Sequence, residues 1–244
     1  MKKTILMLAL LGVCGIASAQ PFGFGNFNAQ ENQVDSPDGR LSVSVKLVRG
    51  GAPVYTVSYD TNTILENSPL GLVTTSGDFT RGLEFVSAET ESVSKSYTQE
   101  KIKKSHIDYN ANKLTYVLKD SKGQEMSVIF EVSNNDIAFR YLMKRIPGGY
   151  ENDSIYCAVI KDDQTHFNMP AGTKTFLSPQ MKGNTGWSRT APSYELPYYA
   201  DDDMGKNFDG AGFIFPCLFK TDGKTAVADI LFIKNKVRLL QGAA

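Results

Sequence analysis

The chain has 244 residues, 41% of them hydrophobic and 21% charged, enough apolar material for one large β domain or two small ones around a substantial core. The formal charge is zero, and the 26 basic residues less Lys2 and Lys3, which fall in a removable leader, leave 24 against 26 acidic ones. That balance excludes the electrostatic footprint of a protein that binds nucleic acid or an anionic membrane.

Met1, Lys2 and Lys3 open the chain, residues 5–16 form an apolar run, and Ala17, Ser18 and Ala19 supply small residues at a cleavage point. Residues 1–19 therefore read as a signal peptide cut before Gln20, and the mature protein as exported to the periplasm. The apolar run is too short to cross a membrane, and no other stretch approaches that length. Val13, immediately before Cys14, is bulkier than a lipidation site usually takes, so a lipoprotein is not expected. QPFGFGNFNAQENQ (20–33) reads as a flexible leader, rich in glycine and asparagine.

From Val34 onward the hydrophobic period is two. In LSVSVKLV (41–48) Leu41, Val43, Val45 and Leu47 alternate with polar residues, which predicts a half-buried strand. The preceding SPDGR is a turn in which the aspartate bonds to nearby main chain. PVYTVSY (53–59), KLTYVLK (113–119), EMSVIFEV (125–132) and DIAFRYLM (136–143) repeat the pattern, with hairpin-length links at KDSKGQ (119–124) and SNND (133–136). GFIFPCLF (212–219) and TAVADILFI (225–233) predict two more strands. No helical period follows the leader, so the expected class is all-β, a large sandwich.

Sequence patterns for a nucleophile elbow, a P-loop, a dinucleotide fingerprint or HExxH are absent. His106 and His166 lack neighbours at metal-ligand spacing and read as structural. Cys157 and Cys217 remain after leader removal, and one disulfide or two buried thiols are both open readings. DDDMGKNFDG (201–210) lacks EF-hand spacing and reads as a solvated loop. TAPSYELPYY (190–199) places Glu195 among tyrosines in a stretch interrupted by Pro192 and Pro197. Trp187, Tyr194, Tyr198 and Tyr199 either stack on a sugar ring or cover a sandwich edge.

Seven blocks in order, SPDGRLSVSVKL (36–47), YTVSYD (55–60), NSPLGL (67–72), HIDYNANKLTYVLKD (106–120), VIFEVSNNDIAFRY (128–141), TGWSRTAPSYELPY (185–198) and GFIFPCLFKTDG (212–223), resemble the N-terminal region of glycoside hydrolase family 97. The resemblance implies an exported bacterial α-glucosidase or α-galactosidase acting on α-linked oligosaccharide or polysaccharide. It implies a β-supersandwich over residues 34–225, preceding a (β/α)8 barrel that carries the catalytic carboxylates. It also implies active-site calcium, with Glu195 as the ligand contributed from this domain and Trp187, Arg189, Tyr194 and Tyr198 beside the sugar. Residues 226–244 diverge from the family's continuation. The expectation is thus a truncated chain without the barrel, holding no catalytic residue of its own, with a stand-alone carbohydrate-binding module as the alternative.

Overall fold

The computed structural model describes residues 31–101, 103, 105–143, 159–179, 197–206, 212–214, 216–221 and 227–230. These residues contain strands and turns, no helix and no closed barrel, in agreement with the all-β expectation.

The first sheet is a meander of β1 (Asn32–Asp35), β2 (Leu41–Val48), β3 (Ala52–Tyr59) and β4 (Asn62–Pro69), antiparallel throughout. The alternation of β2 buries Leu41, Val43, Val45 and Leu47 as expected. In the turn before it, Arg40 N donates to the Asp38 carboxylate at 3.2 Å, and Gly39 takes a φ of 73°. The β2–β3 hairpin tip is fixed from outside, because Leu83 N donates to Gly51 O at 3.0 Å. A Cβ on Gly51 would lie 2.5 Å from Leu83 N, so only glycine fits there.

β4 escapes the sequence pattern. Its NTILENSP is largely polar, and two register shifts against β3 break the alternation of buried positions.

A second meander orders β6 (Glu84–Thr98), β7 (His106–Lys119), β8 (Glu125–Ser133) and β9 (Ile137–Met143), while short β5 (Leu72–Thr74) pairs with β10 (Ile160–Asp163). β7 is longer than the 113–119 read from periodicity, because its polar first half is held by pairing with β6. The two meanders face each other across one core. Tyr55 of β3 lies 5.6 Å from the Phe130 ring of β8 and 6.0 Å from the Phe139 ring of β9, and Phe130 and Phe139 lie 5.3 Å apart. Leu114, Tyr116, Leu118, Met126, Val128 and Val132 complete the second sheet's inner face. Burying a side chain of this size contributes about 1.5–3 kcal/mol.

The segment after β10 straps the first sheet. His166 N donates to Pro69 O at 3.1 Å, the Tyr55 hydroxyl donates to His166 O at 3.1 Å, and Asn168 N donates to the Ser68 hydroxyl at 2.9 Å. The Tyr55 phenol is pushed up strongly by burial.

A third sheet follows in the order β12 (Tyr199–Asp203), β11 (Lys174–Leu177), β13 (Cys217–Lys220) and β14 (Val227–Ile230). Two expectations change here. Asp201, Asp202 and Asp203 belong to a strand rather than a loop. The strand expected over 212–219 starts only at Cys217, after Pro216, which has no N–H for the ladder.

Candidate functional site

The outer face of the third sheet is built by a four-residue alternation. In β11, Thr175 and Leu177 turn inward and are buried, so Lys174 and Phe176 point out. Phe176 is 40% exposed and stacks on Tyr198, itself 41% exposed, with ring centroids 4.9 Å apart and planes inclined by 11°. Leu218 stands opposite Phe176 on β13, and Lys220 opposite Lys174. A cavity of about 250 Å³ lies against this face, lined by Lys174, Phe176, Asp201, Leu218 and Lys220 among others.

Charge is arranged along the β12 edge. Lys174 is ion-paired with Asp203, and Lys206 Nζ lies 3.6 Å from Asp203 Oδ2 and 3.9 Å from Asp202 Oδ1. The hydrogen bond to Asp203 holds the Lys174 ammonium above its usual range, and the same bond lowers the Asp203 carboxyl. Both groups are exposed, so solvent screens the pair. An exposed stacked ring pair beside fixed charges can receive the apolar face of a further ring on its free side while that ring's polar groups meet charged donors and acceptors.

Of the aromatic and polar residues singled out in the sequence, the described residues include Tyr198, stacked on Phe176, and Tyr199, which opens β12 and is also exposed. Trp187, Arg189, Tyr194 and Glu195 lie outside the described residues, in the stretch of chain joining β11 to β12. Those two strands are antiparallel neighbours, with Leu177 opposite Tyr199. Cys157 also lies outside the described residues, whereas Cys217 is buried at the start of β13 with Sγ 3.4 Å from Ile214 O. His166 Nδ1 lies 2.7 Å from Gln164 O, and His106 Nε2 lies 3.3 Å from Asp108 Oδ1 on an exposed ribbon.

Calcium takes six to eight oxygen ligands. Among the described residues no group of three or more His, Cys, Asp or Glu side chains could hold a metal. Asp202 and Asp203 are engaged by lysines, and Glu195, the expected ligand, lies outside the described residues. Phe176 and Lys174 were missed in the sequence. KTFL alternates, but four residues are too few to separate a strand from a loop.

The fold defines a class, an antiparallel β-sandwich domain with a further sheet that presents exposed aromatic side chains. Residues 34–230 match the family described as Glycosyl-hydrolase 97 N-terminal. The chain belongs to glycoside hydrolase family 97, in its N-terminal part. It is similar to the crystal structure of a beta-arabinopyranosidase, at 41% identity and a TM-score of 0.70 over 78% of this chain and 29% of that one. It shares its fold with a Glycoside Hydrolase Family 97 enzyme from Pseudoalteromonas sp. strain K8 (18% identity, TM-score 0.60, 78% of this chain and 27% of that one), whose structures include complexes with panose and acarbose. A probable retaining alpha-galactosidase of Streptomyces bingchenggensis (strain BCW-1) is 23% identical over 165 residues, covering 68% of this chain and 22% of the relative. The chain thus spans less than a third of the length of each of these proteins.

Proposed function

We propose that this chain is the domain that completes the sugar site of an exported, calcium-dependent α-glycosidase. The observation that carries the reading is the exposed Phe176–Tyr198 stack, set where the chain leaves and rejoins the sheet around the stretch bearing Trp187, Arg189, Tyr194 and Glu195. In this reading the platform borders the sugar, and Glu195 supplies one calcium ligand to a site completed by carboxylates of a following barrel domain. Glycoside hydrolysis uses two carboxyl groups across the scissile bond, and these belong to that barrel. Galacto-configured pyranosides are the favoured substrates. The beta-arabinopyranosidase and alpha-galactosidase relatives support this choice, because β-L-arabinopyranose and α-D-galactopyranose share their ring stereochemistry.

The test is an assay of the purified chain with aryl α-galactosides and aryl β-L-arabinopyranosides, paired with binding of the parent sugars. Expected are no turnover above buffer and weak binding that Tyr198→Ala lowers about tenfold, the loss of one aromatic contact. Turnover at an enzyme's usual rate of about 1–10³ per second would sink the proposal. The stack and its cavity also suit a stand-alone carbohydrate-binding module. Tight binding that persists in chelator, with no gain when a family 97 barrel is fused after the chain, would favour that second reading.

A further inference from the structure

β6 and β7 run on past the end of β8. The β7–β8 ladder covers residues 111–119 of β7, while the β6–β7 ladder continues out to Thr98 opposite His106. A flat continuation would carry Tyr97, opposite Ile107, about 26 Å along the strand from the row of Thr115, Ile129 and Arg140, at 3.3 Å per residue. Yet Lys95, Tyr97 and Tyr109 line one cavity with Ile129, Glu131 and Arg140. The ribbon therefore coils over the outer face of its own sheet. The burial of Ala111 and Ile129 agrees, since both lie on the face turned away from the core and are only 2% and 5% exposed.

The groove so formed measures about 240 Å³, below the roughly 300–1,000 Å³ of sites for drug-sized ligands, a size for one ring rather than a chain. Tyr97 offers an exposed ring. Arg140 Nη1 lies 3.5 Å from Glu131 Oε1, a paired donor and acceptor. Lys95 has no ion pair among the described residues. The lining of the groove thus holds the positive charge of Lys95 beside the paired Arg140 and Glu131.

We propose that this groove is a second saccharide site, taking a single pyranose ring that bears a carboxylate. The ring lies on Tyr97, its hydroxyls meet Glu131 and Arg140, and the carboxylate meets Lys95. The inference rests on the reading that this chain handles glycans, but it uses a different sheet from the Phe176–Tyr198 platform.

The test is an NMR titration of the full chain with galacturonic acid and, separately, methyl α-galactoside. Galacturonate is expected to shift signals of Tyr97, Tyr109 and Ile129, with an affinity that falls as salt screens the charge. Tyr97→Ala should weaken it about tenfold, and Lys95→Gln should remove its advantage over the neutral sugar. Both side chains are exposed, and if Tyr97→Ala disturbs the ribbon, Lys95→Gln decides alone. Shifts confined to Phe176, Tyr198 and Leu218 would support the first site and overturn this one. Equal affinity for the two sugars, or binding that neither substitution changes, would overturn it as well.

Discussion

Asp136 closes the short turn between β8 and β9, where Ser133 N donates to Asp136 O at 2.9 Å. Burial raises its carboxyl above the usual range, and a hydrogen bond from Ser133 opposes that only in part. A raised carboxyl favours the protonated form in the folded state. Its penalty is therefore absent below the unfolded value of about 3.9, and stability is lost as pH rises through the folded value. Asp136→Asn should raise the melting temperature at pH 7 and leave it nearly unchanged at pH 3, and coincident melts at pH 7 would refute this. Residues of this kind differ in how openly the sequence declares them. Asp38 could be read in SPDGR because its partner, Arg40 N, is two residues away. Gly51 and Gly71 could not, because the atoms that forbid a side chain there belong to Leu83 and Phe79, which only the folded chain brings near.

Among elements, β9 and the strap after β10 depend on one hydroxyl. The Tyr141 hydroxyl accepts a hydrogen bond from Gly71 N at 2.9 Å and shares a second with the Thr165 hydroxyl at 2.7 Å. Tyr141→Phe leaves the Gly71 N–H without that acceptor, at a cost of about 1–3 kcal/mol. Urea unfolding should show it as a lower midpoint at constant slope, and an unchanged midpoint would mean that water replaces the hydroxyl. Strands with one dry face and one wet face were legible as such, and β2, β3, β8 and β9 lie within one residue of their expected limits. β6 was not, because 12 of its 15 residues are exposed and little alternation is left to read. It exists through its ladder with β7, and pairing between strands leaves no mark on a single strand's period.

Across the whole molecule the triangle of Tyr55, Phe130 and Phe139 joins the two meanders. Phe130→Ala should cost about 3–5 kcal/mol, with secondary and tertiary circular dichroism signals lost in one coincident transition. A loss under about 1 kcal/mol, or two separated transitions, would show sheets that stand independently. Of the Phe176–Tyr198 stack, one ring was open to a sequence reading at this scale. TAPSYELPYY marked Tyr198 as a member, but its partner Phe176 lies 22 positions earlier, and only the third sheet sets the two rings together. β6 also leaves its outer edge without a neighbouring strand among the described residues. Such a row of main-chain donors and acceptors is a template on which a second molecule can add a strand and begin a fibre. Glu84, Glu89, Glu91 and Lys95, with serines at 87, 92, 94 and 96, make that edge a poor surface for self-association. The polar composition that hides β6 from a periodicity reading is thus what keeps the protein from polymerising along it.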